Sequence, residues 1–343
     1  MPIDGCRAHL AAAPVKILML IFGFCSPWVV SSAAEDSTPA AAPTPGSYTI
    51  TDLGTLGGGD SIPQGIDNPG EVVGYSAIDA SGEFHAFVYR GGKMIDLQAG
   101  WKSQVVTLLP PALTQGLEAL ASNVSSYGHA INDSGQLVGA FQLVKGPTRA
   151  FLDSGKVKLQ ALGTLGGGDS VANSINHAAQ VVGYSLTASG AQHAFLYTGG
   201  QLQDLGTLGG SKSVATCISN IGQIVGYSAT STDPESPVHA FLYRDGRMQD
   251  LGTLGGPSSY ARAITCSGQI VGESLTAPGD VHAFLYMGGK MYDLNQLVSP
   301  NSGWTLIQAT GINDAGQICA IGTPDNVSQR AVLLTRTMGN NAK

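Results

Sequence analysis

Short apolar runs punctuated by Gly-, Asn- and Asp-rich turns recur along this chain in one fixed order. The first run ends in isoleucine, as in Ser213–Ile218 (SVATCI) and Ser259–Ile264 (SYARAI). A turn of the Asn-x-x-Gly kind follows, as at Asn132–Gly135 and Asn313–Gly316. There the Asn side chain bonds back to the backbone and Gly takes positive φ. The second run is Gln-[Ile/Val]-Val-Gly-Tyr-Ser (Gln223–Ser228), and the third is His-Ala-Phe-Leu-Tyr, with the period-two alternation of a strand. A Gly-Gly or Asp-Gly pair (Gly199-Gly200, Asp245-Gly246) predicts a tight hairpin into the fourth run, [Leu/Met]-x-Asp-Leu-Gly. The phrase Leu-Gly-Thr-Leu-Gly-Gly then leads into the next copy.

Aligned on the isoleucine of the first run, the copies fall at Ile66, Ile131, Ile175, Ile218, Ile264 and Ile312, with spacings of 65, 44, 43, 46 and 48 residues. Four antiparallel strands per ~45 residues, repeated around a ring, predict a six-bladed all-β propeller. The chain ends support closure. Ser47–Gly58 (SYTITDLGTLGG) is a fourth run with no other runs before it, and the last copy lacks a fourth run. Pairing the two completes the last blade and removes an open strand edge.

The long first spacing reflects an insertion, residues 98–125, holding Trp101, Pro110-Pro111 and a predicted short helix at Leu113–Ala121. A smaller extension, Asn295–Gly303, precedes Trp304. Residues 1–34 read as a secretory signal: Arg7 and Lys16 lie before the apolar stretch Ile17–Val30, and Ser32-Ala33-Ala34 offers a small-residue cleavage site. That stretch is only 14 residues, against the ~20 a spanning helix needs, so no transmembrane helix is expected in the mature chain. Residues 35–46 form a Pro/Ala-rich linker, 47–336 the propeller and 337–343 a polar tail.

Composition narrows the partners. Charged residues make up 12%, Gly numbers 47, and the net charge is −7 with no basic cluster, which excludes nucleic acid and anionic membrane as partners. Three cysteines remain beyond the signal. Cys217 and Cys319 occupy strand positions and read as small buried residues, and no disulfide framework is expected.

Repetition also weighs against reading the commonest residues as a site. His85, His193, His239 and His282 head the third run, but Arg149 and Arg330 replace them in two copies. Arginine cannot ligate a metal, whereas both residue types donate hydrogen bonds, so a structural donor role within each blade is expected, toward a carbonyl or the fourth-run Asp96, Asp204, Asp250 and Asp293. Function is expected where copies differ. Weak binding candidates are Trp101 and Trp304 in extended loops, Asp60 and Asp169 in Gly-Gly-Gly-Asp-Ser loops, and Glu273, which replaces the tyrosine of the second run and has no evident partner. Two isolated aspartates fall short of a Ca²⁺ shell, and turn capping is their plainer role. No catalytic residue, metal or cofactor is assigned.

The phrases HAFLY, GQIVGYS and DLGTLGG resemble those of the HAF-repeat proteins, bacterial extracellular repeat proteins named for that tripeptide. The resemblance runs from about Tyr48 to Leu334. It implies a bacterial exported protein and brings no activity with it. The expected role is a binding or interaction module, monomeric, acting in the periplasm, secreted or at the cell surface, toward an extracellular protein or glycan. The alternatives are a hydrolase or lyase acting on extracellular polysaccharide, and a purely structural surface protein.

Overall fold

The computed structural model describes residues 45–79, 84–96, 124–143, 146–154, 160–233, 235–325 and 327–337. The signal segment, Trp101 and nearly all of the insertion lie outside them. Among the described residues no helix is long and apolar enough to cross a membrane.

Among the described residues twenty-four strands form six four-stranded antiparallel sheets. The first blade holds β2 (Ser61–Ile66), β3 (Val72–Ala77), β4 (Phe84–Arg90) and β5 (Lys93–Asp96). The second holds β6 (Val124–Ile131), β7 (Leu137–Leu143), β8 (Thr148–Asp153) and β9 (Gln160–Gly163). The third runs β10 (Gly166–Ile175), β11 (Val181–Thr187), β12 (Gln192–Thr198) and β13 (Gln201–Asp204). The fourth runs β14 (Ser213–Ile218), β15 (Ile224–Ala229), β16 (Val238–Arg244) and β17 (Arg247–Asp250). The fifth runs β18 (Gly255–Ile264), β19 (Ile270–Thr276), β20 (Val281–Met287) and β21 (Lys290–Asp293). The sixth combines β22 (Thr305–Ile312), β23 (Ile318–Thr323) and β24 (Arg330–Arg336) with β1 (Tyr48–Asp52).

The molecule is thus a β-propeller closed by its N-terminal strand. β1 pairs with β24 from Tyr48↔Arg336 to Asp52↔Val332. Buried Tyr48 and Leu53 lock this strand in place, and Thr337 N donates to Ser47 O at 2.9 Å.

The core lies between blades. Phe241 and Tyr243 join Val182, Ala194 and Leu205 of the third blade, whereas Ala240 and Leu242, alternating with them, join Ala261, Ile264 and Phe284 of the fifth. A strand buried on both faces reads as a continuous apolar run. The period-two alternation expected of His-Ala-Phe-Leu-Tyr therefore chooses between two cores. Phe87, Phe195, Phe241 and Phe284 are fully buried, each directly opposite a glycine on the neighbouring strand, as in Phe241↔Gly226 and Phe284↔Gly272.

Serines weld the blades together. Ser213 Oγ donates to Gly206 O at 2.6 Å and accepts from Ala194 N at 2.8 Å, so the inner strand of one blade holds the hinge and third strand of the one before. Ser61, Ser170 and Ser259 repeat the arrangement. Ser228 Oγ accepts from Leu208 N of the same hinge. Positive φ at Gly206 (74°) lets the chain turn there. These contacts account for the persistence of Leu-Gly-Thr-Leu-Gly-Gly and of the serines flanking it.

Cys319, in β23, is fully buried against the first blade, and burial pushes its thiol up to about 12 from an ordinary 9.0. Because the native thiol stays neutral while an unfolded one ionises, this contribution is complete below about pH 9 and is lost as pH rises toward about 12. The Tm of the wild type is expected to fall more steeply across that window than that of Cys319→Ala. Parallel curves would show that another group governs alkaline unfolding.

Candidate functional site

The first strand of every blade lines an axial channel of about 570 Å³. Each carries a β-bulge at one register, two residues before the aligned isoleucine. The unpaired residues there are Gln64, His129, Asn173, Thr216, Arg262 and Thr310, and all six face the channel. A bulge re-aims the side chain it frees from the ladder. The second-run glycine makes room for it: a Cβ on Gly226 would overlap the carbonyl oxygen of Val214. Five of the six residues are polar residues other than Lys, Arg, Asp or Glu, and they comprise four residue types.

Three of these side chains close gaps between blades. His129 Nδ1 lies 2.7 Å from Ala172 O, Asn173 Nδ2 donates to Ala215 O at 2.8 Å, and Thr216 Oγ1 donates to Ala261 O at 2.8 Å. Each reaches the equivalent carbonyl of the following inner strand. Arg262 breaks the series. Its Nε lies 3.0 Å from both carboxylate oxygens of Glu273, and its Nη2 donates to Oε1.

Glu273 therefore has a partner, contrary to expectation. It is buried in β19 directly opposite Tyr260, and Arg262 lies two residues further along β18 on the same side. The guanidinium stacks over the Tyr260 ring at 5.9 Å, and Tyr227 meets that ring edge-on with centroids 5.0 Å apart. Burial alone would depress Arg262, but its bonds to Glu273 outweigh that and raise it, so it stays charged. Burial raises the phenols of Tyr184, Tyr227 and Tyr260. The third, fourth and fifth blades thus bring Tyr184, Tyr227 and Arg262 to one sector of the channel wall, with Tyr260 and Glu273 in contact with Arg262.

The C-terminal ends of the inner strands, just past the bulges, are occupied by turns that hold one another. Asn132 Nδ2 donates to Asn176 O, Asn176 Nδ2 to Ser219 O, and Asn313 Nδ2 to Asp67 O, at 3.0 to 3.1 Å. Each of these asparagines also caps its own turn, accepting from the backbone N–H four residues on. The Asn-x-x-Gly turn thus does two jobs, one within a blade and one between blades.

The remaining candidates serve the scaffold. Asp60 Oδ1 accepts from Gln329 N at 2.9 Å and Asp169 Oδ1 from Thr148 N at 2.7 Å, each tying a loop to the preceding blade. Trp304 is half-buried and packs on the core shared by the fifth and sixth blades. Among the described residues no group of three His, Cys, Asp or Glu is placed to hold a metal.

The third-run donors meet the fourth-run aspartates. The Nδ1 atoms of His85, His193, His239 and His282 lie 2.8 to 2.9 Å from Asp96, Asp204, Asp250 and Asp293. Asp204 and Asp250 also cap the hinge, accepting from Gly206 N and Gly252 N. Arg330 pairs with Asp52 on the closing strand at 2.9 Å. Arg149 departs from the within-blade expectation. Ala161 stands where other blades place aspartate, and Arg149 donates across to Gly168 O in the third blade.

Arg262, Tyr227, Tyr260 and Tyr184 were not singled out by the sequence, although the column two residues before each aligned isoleucine carries the signal. Other columns vary too, the second-run tyrosine becoming Ala140, Glu273 and Ile321, but in the bulged column every residue is polar. This one changes from blade to blade, and its single full charge sits beside the one carboxylate that replaces a second-run tyrosine.

Residues 204–341 match a family model described as "Protein of unknown function (DUF3466)". No curated protein matches. Among solved structures, a gluconolactonase from Xanthomonas campestris is 13% identical, with a TM-score of 0.42 over 88% of this chain and 99% of that one. A TolB-like protein from Agrobacterium tumefaciens is 12% identical, with a TM-score of 0.46 over 81% and 90%. The β-propeller domain of a protease from Pyrococcus furiosus is 8% identical, with a TM-score of 0.43 over 81% and 84%. At such identities these likenesses bear on no activity or ligand, and the architecture rests on the strand pairing above.

Proposed function

We propose that this protein is an exported binding module of the cell surface or periplasm whose ligand enters the axial channel. The observation that carries the reading is the bulged column. The buried serines, the turn asparagines and the core phenylalanines repeat because every blade needs them. The channel column needs no such diversity for folding, and it is diverse: Gln64, His129, Asn173, Thr216, Arg262, Thr310. A rigid closed ring that presents different side chains at equivalent places is a scaffold for recognition. The resemblance to HAF-repeat proteins supports export, as does the leader-like segment at residues 1–34.

The test pairs the chain from residue 35 with a Thr216→Trp variant, which fills the channel from the fourth blade. Both are screened against immobilised glycan and peptide arrays. Probes bound by the wild type are expected to be lost in the variant while the Tm moves by only a few degrees. Binding that survives the blocked channel would overturn the channel reading. Turnover of an arrayed polysaccharide would overturn the module in favour of a hydrolase or lyase. Recovery of the protein in the cytoplasmic fraction of its host would overturn export.

A further inference from the structure

The sector of the channel formed by the third to fifth blades has properties that narrow the ligand, given the binding-module reading on which this inference rests. We infer that Tyr184, Tyr227, Tyr260, Arg262 and Glu273 form a subsite for a neutral sugar residue of a glycan.

The first argument is charge. Among the described residues Arg262 is the one arginine or lysine on the channel wall, Asp314 lies on the wall at the turn of the sixth blade, and Glu273 neutralises Arg262 through three hydrogen bonds. An anionic ligand would have to draw Arg262 away from a buried carboxylate, and a cationic one would have to displace Arg262 itself. Either exchange leaves a charge unpaired in a poorly hydrated place. An apolar ligand would desolvate the ion pair and return nothing. A neutral, polyhydroxylated ligand meets none of these costs, because each hydroxyl both donates and accepts.

The second argument is the distribution of unused hydrogen-bonding groups. Three third-strand tyrosines are engaged: Tyr197, Tyr243 and Tyr286 each accept from a glutamine of the preceding blade, Gln160, Gln203 and Gln249. The phenols of Tyr184, Tyr227 and Tyr260 have no hydrogen-bond partner among the described residues, and neither does Arg262 Nη1. Spare hydroxyls and a spare N–H beside aromatic faces suit a sugar ring, whose C–H face lies on an aromatic ring while its hydroxyls take the polar groups.

The third argument separates a glycan from a peptide. An extended peptide gains affinity by pairing with an open strand edge. Along this sector the inner-strand carbonyls of Ala172, Ala215 and Ala261 are already taken by His129, Asn173 and Thr216 of the preceding blades. One acceptor of each inner edge is thus already engaged, which interrupts the ladder that a peptide backbone would need. The volume of about 570 Å³ falls in the range of small-ligand sites, roughly 300–1,000 Å³, and is too small for a folded partner.

The experiment is a calorimetric titration of the chain from residue 35, following an array of neutral oligosaccharides, acidic oligosaccharides and peptides. Neutral oligosaccharides are expected to bind, and Tyr227→Phe, which keeps the ring and removes the hydroxyl, is expected to weaken them about tenfold. The double variant Arg262→Gln/Glu273→Gln tests the ion pair without leaving a lone buried charge, and a similar or larger loss is expected. Unfolding curves confirm that both variants are folded. Preference for acidic saccharides, or neutral-sugar affinity unchanged in both variants, overturns the subsite. A peptide that binds the wild type and is lost in these variants overturns the sugar while leaving the binding module standing. If no array member binds at millimolar concentration, the subsite and the channel reading fall together.

Discussion

A chain that begins at residue 54, lacking β1, is expected to lose about 10 °C or more in Tm and to associate, whereas a chain that begins at residue 45 behaves as the full protein. Three effects combine. Tyr48 and Leu53 are buried to within 5% exposure, and withdrawing both from the core forfeits roughly 3–6 kcal/mol of transfer free energy. Five residue pairs of the β1–β24 ladder disappear, together with the Arg330–Asp52 ion pair and the bonds joining Ser47 to Thr337. The exposed edge of β24 then offers unpaired N–H and C=O groups to other chains, which is why association accompanies the loss. At about 2–4 °C per kcal/mol for a domain of this size, the burial alone accounts for the predicted shift. Scanning calorimetry and sedimentation of the two truncations measure it. A synthetic peptide spanning residues 45–53 should restore part of the Tm. Equal melting temperatures with a monomeric truncated chain would show that the ring does not depend on its terminal strand.

Replacing Phe241 by alanine is expected to cost about 3–5 kcal/mol, the range for removing a phenyl ring from a tightly packed core. The ring is fully buried between the third and fourth blades, among Val182, Leu205, Ile218 and Tyr243, and it stands opposite Gly226. The glycine cannot fill the space, because any side chain there would strike the Val214 carbonyl on the far side of the bulge. The cavity therefore cannot close by local adjustment, which favours the upper part of the range. Ile221, which is 63% exposed, serves as the control, and its alanine variant should lie within about 0.5 kcal/mol of the wild type. Urea unfolding measures both. A Phe241→Ala cost below about 1 kcal/mol would mean that the inter-blade core is not what holds adjacent blades together.

These two variants act on different links of the same chain of causes. The terminal strand closes the ring, and the phenylalanine–glycine pair spaces its blades. The channel column depends on both, since the side chains of His129, Asn173 and Thr216 reach their carbonyls only across a correctly spaced gap. A destabilised ring should therefore weaken channel binding as well, and any binding measured on such variants has to be set against their fraction folded.

Much of the architecture was legible along the chain because a propeller blade is a local object. Its four strands are consecutive, its turns are short, and each is announced by Asn-x-x-Gly, Gly-Gly or Asp-Gly. The fixed order of four runs determined the strands, their number per blade and the number of blades. The unmatched fourth run at Ser47–Gly58 determined the closure. The equivalence of His and Arg at the head of the third run pointed to a donor role, whereas the Asp60 and Asp169 loops, which read as turn caps, tie to Gln329 N and Thr148 N of the preceding blade.

What the tertiary structure alone decided concerns contacts that no phrase announces, between blades and across a strand pair. The sequence could not say that alternate residues of His-Ala-Phe-Leu-Tyr face two different cores, because both faces are apolar. It could not show that Arg149 leaves its own blade for Gly168, since only the missing aspartate at Ala161 hints at it. Above all it could not reveal the bulge. An unpaired residue in a strand carries no signature beyond the neighbouring glycine, and that glycine reads equally well as a turn or a weak strand position. The bulge turns Arg262 toward the channel, and the pairing of β18 with β19 sets Glu273 beside it. Two charges that looked solitary eleven residues apart become one neutral pair among tyrosines, because a strand register brings together what the chain keeps separate.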